Sequence, residues 1–202
     1  MPVNRIGHET VSVKDAQSGS ANITVPVACT LITVKWQYWN DSSSPTMASM
    51  SIDGDALTIP VNVAKNGGLP GYGGAWVQNP STGLQPLAWQ WSTGSSFPIN
   101  NGAELVIDYY NGEHPTTPIL DFQGGRNSYA NAVSVSVVSE VTGLITAICQ
   151  HYFDRSGSPE LDGTKYIDDV IYNLQETDAS EIAPSAGTTT VEMANEWWST
   201  MV

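Results

Sequence analysis

The chain has 202 residues with seven Lys and Arg against twenty Asp and Glu, a formal net charge of −13, and only 13% charged residues in all. Nucleic-acid binding is excluded, because affinity for a phosphate backbone rests on Lys and Arg displacing its counterions, and docking on an anionic membrane fails for the same reason. No apolar run approaches the ~20 residues that cross a bilayer as a helix, while the 41% hydrophobic content suffices for a sizeable core.

Taken in order, residues 1–24 hold short alternating pieces such as Val11-Ser12-Val13, and Met1 to Thr10 has no apolar h-region of a secretory signal. Lys14 to Ala21 reads as a polar loop. Cys29 to Trp39 is rich in β-branched and aromatic residues, the composition of a strand. Its alternation sends Ile32, Val34, Trp36 and Tyr38 inward and Thr33, Lys35, Gln37 and Trp39 outward. Asn40 to Pro45 is a turn.

The central stretch, Met47 to Trp91, organises the rest. Asp53-Gly54 lies between Met50, Ile52 and Leu57, Ile59, and suits the positive φ angles of a tight hairpin. Asn66 to Gly74 is a glycine-rich excursion, either a connection between strands or a bare backbone that a neighbouring subunit or ligand approaches closely. It is no phosphate loop, lacking both a Gly-Lys-Ser/Thr ending and Gly-x-Gly-x-x-Gly. Asn79-Pro80-Ser81-Thr82-Gly83 is a second turn, after which Leu87, Trp89 and Trp91 alternate with smaller or polar residues.

Glu104 to Tyr110 predicts a strand, and Glu113 to Asn131 reads as irregular. Val133 to Val137 alternates cleanly, and Leu144 to Phe153 follows after Thr142-Gly143. Tyr166 to Tyr172 is compatible with a strand or with a short helical turn. Thr188 to Val202 predicts one long terminal strand. Short strands with regular turn signals and almost no helical periodicity predict an all-β chain: one β-sandwich domain of two antiparallel sheets over residues 1–202, with a long irregular excursion at 154–187.

No catalytic constellation is visible. His8, His114 and His151 stand far from one another in the sequence, which leaves a zinc site of ordinary spacing unsupported, and no Gly-x-Ser-x-Gly elbow exists. Asp53 with Asp55, and Asp162 with Asp168 and Asp169, have the oxygens for calcium but match no EF-hand loop. No cofactor and no metal is expected. Two cysteines, Cys29 and Cys149, make no disulfide framework, and both are expected as small buried thiols in strands.

Aromatic residues are the better signal. Most of the seven Trp must be core, but Trp39 shares strand parity with Lys35 and Gln37. In the terminal strand Val191, Met193 and Trp197 share one face, and Trp198 shares the other with Glu192 and Glu196. Trp198, Trp39, Tyr72, Gly71 and Gly73 are therefore the interface or ligand candidates, since exposed aromatics serve as protein anchors or as sugar-stacking platforms.

The run Cys29 to Trp36, then Met50 to Thr58, then Trp76 to Gly83 with its alternating strand resembles the jelly-roll β-sandwich modules of tailed-bacteriophage virion proteins. The likeness spans about residues 23–153 plus the terminal strand. It implies a jelly-roll sandwich in a non-enzymatic virion structural protein, a head decoration or surface protein made in the host cytoplasm and carried on the virion. Its partners would be capsid or tail proteins and copies of itself. The alternative it implies is a lectin-like module of a tail or fibre that recognises host glycans.

Overall fold

The computed structural model describes residues 3–13, 17–38, 44–64, 66, 71–92, 103–112, 118–119, 121–127, 132–139, 144–152, 164–171, 174–182, 187–194 and 199–201. Beyond residue 125, side chains are described only at Ser136, Val138 and Thr188. The described residues form strands and no helix. Where one domain was expected, the chain divides into two compact units. The first comprises Met1–Lys65 and Gly71–Pro118, and the second Asn66–Pro70 and Ile119–Val202. Composition does not mark the boundary because strands build both units.

The first unit is a β-sandwich of nine strands: β1 (Asn4–Val13), β2 (Ser18–Val25), β3 (Leu31–Tyr38), β4 (Met47–Ile52), β5 (Asp55–Ala56), β6 (Thr58–Val63), β7 (Gly71–Gln78), β8 (Gly83–Trp91) and β9 (Ala103–Asn111). One sheet has the order β1-β9-β3-β7-β6 and the other β2-β8-β4-β5, with every pairing antiparallel. The first strand pairs with the ninth, the second with the eighth, the third with the seventh and the fourth with the fifth. The unit is thus one long two-stranded ribbon folded over itself, and the Asp53-Gly54 turn is its tip.

That turn forms as the dipeptide predicts. Asp53 has φ 52° and Gly54 φ 87°, the two positive angles of a type I′ hairpin. Aspartate tolerates the left-handed region and glycine enters it freely, whereas alanine does not. Gly54→Ala should therefore cost about 1 kcal/mol in denaturant unfolding, and an unchanged midpoint would refute the strain. The second predicted turn is also present, with Asn79 at φ 52°, Gly83 at φ 87°, and the Asn79 amide donating to the Thr30 carbonyl at 2.7 Å.

The core lies between the two sheets. Ile32, Val34, Trp36 and Tyr38 of β3 and Ala103, Leu105, Ile107 and Tyr109 of β9 meet Ile23 and Val25 of β2, Met47, Met50 and Ile52 of β4, and Leu87, Trp89 and Trp91 of β8. Trp91 locks the sheets together. Its ring stands edge-on to Trp36 at 6.4 Å and to Tyr38 at 5.3 Å between centroids, an arrangement worth ~0.5–1.5 kcal/mol per pair beyond the buried area. The Tyr38 hydroxyl donates to the Pro45 carbonyl.

Two expectations are corrected here. Lys14 to Ala21 is not all loop: β2 begins at Ser18, and its polar residues pair with β8 as well as apolar ones would. Cys29 lies not in a strand but in the turn before β3, where its amide donates to the Pro26 carbonyl.

The second unit contains β10 (Gly125–Asn127), β11 (Ala132–Ser139), β12 (Leu144–Tyr152), β13 (Thr164–Ile171), β14 (Leu174–Ile182), β15 (Gly187–Ala194) and β16 (Ser199–Met201). Its sheet has the order β10-β16-β12-β14-β13, and β11 pairs separately with β15. The Asp121 carboxylate accepts from the amides of Phe122 and Val138 at 2.9 Å each, tying residue 121 to β11.

The excursion at 154–187 is corrected: it contains the β13–β14 pair, with Asp168 opposite Thr177 and Asp169 opposite Glu176. Tyr166 therefore falls in a strand. The backbone ladder forms without apolar alternation, so a search for period two passes over it. The terminal segment is not one long strand either, since β15 pairs with β11 while β16 pairs with β12 and β10.

Candidate functional site

Three features of the first unit carry chemistry: the glycines of β7, the outer face of the five-stranded sheet, and the outer face of the four-stranded sheet.

Gly71 and Gly73 are directly opposite Tyr38 and Trp36 in the β3–β7 ladder. A Cβ at Gly71 would run into the Tyr38 ring. One at Gly73 would run into the Trp36 ring and lie 2.6 Å from the Val61 carbonyl oxygen. Both glycines therefore face the core and make room for two large aromatics. Tyr72 points to the other side of the sheet and is also buried, at 7% exposure. Trp39 and Trp198 lie outside the described residues.

The outer face of the five-stranded sheet overturns the expected outward set. Thr33, Lys35 and Gln37 do point away from the core, but they are 4%, 2% and 0% exposed, and beside them Glu104 and Asp108 of β9 are 2% and 0%. The Arg5 guanidinium lies 2.5 Å from Asp108 Oδ1, and Lys35 Nζ donates to Asp108 Oδ2 at 2.6 Å. One carboxylate thus holds two cations, both almost fully buried. Across the ladder Gln37 is opposite Glu104 on one side and Tyr72 on the other. Two cations and two carboxylates share one dry face, and charges placed so must be paired, because isolated burial costs several kcal/mol each. Asp108 is closed to solvent and committed to both partners, so this cluster ties β1, β3 and β9 together.

A second polar pin stands nearer the edge. Glu9 Oε1 accepts from the Tyr109 hydroxyl at 2.7 Å and from the Thr24 amide at 2.8 Å. Burial, then this hydrogen bond and the Glu9 charge, hold the Tyr109 phenol protonated well above the ordinary tyrosine range. The raised value means that its contribution to stability is complete below the ordinary tyrosine pKa and lost as pH rises beyond it.

The outer face of the four-stranded sheet is different in kind. Ser18, Gly19 and Ser20 of β2, Ser49 and Ser51 of β4, and Ala88, Trp89 and Gln90 of β8 line an open depression of about 360 Å³. Its serine hydroxyls and the Gln90 amide are neutral and able to donate and accept hydrogen bonds. The alternation within β8 turns Leu87, Trp89 and Trp91 to the core, and Trp89 is 8% exposed where it borders the depression.

Among the other expected sites, Asp53 and Asp55 are exposed beside the ribbon tip, and His8 is exposed on β1. Among the described residues no group of three or more His, Cys, Asp or Glu side chains is placed to hold a metal ion. His114 and Asp162 lie outside the described residues, as do the side chains of His151, Asp168, Asp169 and Cys149. Cys29 is buried, and its thiol donates to the Leu31 carbonyl at 3.3 Å. Cys29→Ala removes one weak donor and one sulfur atom, so a loss of about 1 kcal/mol or less is expected. A loss of several kcal/mol would show that the thiol holds the turn.

Comparison with protein families, with curated proteins and with solved structures finds no match to this chain.

Proposed function

We propose that this chain is a non-enzymatic structural protein of a virion, carried on the capsid surface and fastened to its partners by apolar and aromatic contacts. The observation that carries the reading is the strand order of the first unit. A jelly roll places strands 1, 8, 3 and 6 of its ribbon in one sheet and 2, 7, 4 and 5 in the other. The orders β1-β9-β3-β7 and β2-β8-β4-β5 follow that rule, with β6 an added strand on the edge of β7. This supports the likeness to virion modules, and the acidic composition is compatible with a particle that must not compete for its own packaged genome.

The test is particle composition. An antibody against the chain should label purified particles, and its gene should lie beside capsid or tail genes. A gene remote from both, with particles free of the chain, would overturn the proposal. Incubation with polysaccharides, esters and peptides should give no turnover above background.

A second reading, a module binding neutral glycans, is favoured by the serine-lined depression, whose hydroxyls and Gln90 amide suit sugar hydroxyl groups. A glycan array decides it. A defined sugar whose signal falls on Ser49→Val or Ser51→Val would favour this reading, and a blank array would retire it.

A further inference from the structure

The four edges of the sandwich are not alike. β1 carries Arg5, His8 and Glu9 and a register irregularity at Arg5/Gly7. β6 contains Pro60 and an irregularity of its own, and β5 is two residues long. Charges, proline, bulges and shortness are the devices that keep a sheet edge from pairing with another chain. β2 has none of them. Ser18-Gly19-Ser20-Ala21-Asn22-Ile23-Thr24-Val25 is uncharged and free of proline, and it runs in unbroken register with β8.

One bond sets the parity of this edge. The Thr24 amide donates to Glu9 Oε1 at 2.8 Å, so it points away from β8. The amides of Asn22, Ser20 and Ser18 lie two, four and six residues earlier and point the same way, since peptide directions alternate along a strand. Glu9 thus closes the Val25 end of the edge, and among the described residues no strand pairs with Ser18–Asn22 on this side. Ser18, Ser20 and Asn22 are exposed, and Gly19 and Ala21 between them are small.

We propose that the Ser18–Asn22 edge of β2 is a self-association surface that pairs antiparallel with the same edge of a second copy, about a two-fold axis at Ser20. The occupant follows from charge and parity. A molecule of net charge −13 repels its own kind, and β2 is the edge on which two copies meet without opposing carboxylates, proline or a register irregularity. A two-fold at Ser20 sets Ser20 against Ser20 and Ser18 against Asn22. Every residue so paired has its amide and carbonyl directed at the partner, whereas a one-residue slip would set each of them opposite a residue whose amide and carbonyl point back to its own β8. Side chains in the contact are hydroxyls, one amide, Gly19 and Ala21, so none obstructs the approach. The four-stranded sheet would continue into its copy, bringing the two serine-lined depressions onto one surface. The inference stands on the edge geometry alone and does not depend on the virion reading.

Sedimentation equilibrium of the full chain should give twice the chain mass, or a multiple of it, at micromolar concentration. Ser20→Pro removes an amide that β8 does not use, a place where edge strands tolerate proline. Ser20→Lys sets two like charges face to face across the axis. Each should weaken association at least about tenfold while the circular dichroism spectrum stays unchanged. Ser20→Cys should form a reducible covalent dimer on mild oxidation, because Cα atoms about 5.5 Å apart in a hydrogen-bonded pair lie within disulfide range. A wild-type chain that stays at single mass overturns the proposal. So does association undiminished in the folded Lys variant, or a Cys variant that fails to cross-link.

Discussion

Asp108→Ala should be the most damaging single substitution in the first unit, lowering stability by about 3–5 kcal/mol. The native carboxylate is fully buried and faces Arg5 on one oxygen and Lys35 on the other. Alanine would leave two cations shielded from water with their shared counter-charge gone, which costs far more than the net worth of an intact pair. Domains commonly have only ~5–15 kcal/mol in hand, so the loss would be plain in a urea titration. Lys35→Met should be much milder, since Arg5 still neutralises Asp108 and the thioether keeps most of the packing of the lysine stem. A midpoint for Asp108→Ala close to that of Lys35→Met would refute the arrangement of one acid holding two cations.

Gly73→Ala should destabilise by roughly 3 kcal/mol, the upper end of the usual cost of overpacking. One methyl group is enough because the obstruction is double. The Trp36 ring is wedged against Trp91 and cannot step aside, and the Val61 carbonyl belongs to the neighbouring strand. Gly73→Ala combined with Trp36→Leu should recover part of the loss of the two singles, the non-additivity expected of residues in contact. If Gly73→Ala leaves the unfolding midpoint unchanged but alters association, the glycine lies at an interface and its assignment to the core is wrong.

Much of the first unit was legible from local chemistry. Asp53-Gly54 announces its turn because few dipeptides accept two positive φ angles, and the turn proves to be the tip of the folded ribbon. Leu87, Trp89 and Trp91 announce their face because strand side chains alternate strictly. The inward set of β3 was read correctly for the same reason.

The outward set of β3 was misread by an equally local rule, that a polar residue opposite an apolar row faces water. Lys35 obeys the alternation yet is buried, as are its neighbours Thr33, Gln37, Glu104 and Asp108 on the same face of β3 and β9. Only its pairing with Asp108, 73 residues away, makes that burial tolerable. One signal was present: Glu104 and Asp108 interrupt an otherwise apolar strand in a chain with few charges, as buried counter-ions do. The β7 glycines were equally ambiguous, since a glycine beside a ligand and a glycine beneath an indole look alike until the opposite strand is known.

The all-β class, the Asp53-Gly54 and Asn79–Gly83 turns and the inward rows of β3 and β8 are written in neighbouring residues, because backbone dihedral preferences and the two-residue repeat act over a short range. Which strands pair, and that both faces of β3 are buried, follows only from the folded chain. Both depend on contacts between residues as far apart as Asn4 and Asn111, and no local pattern encodes them.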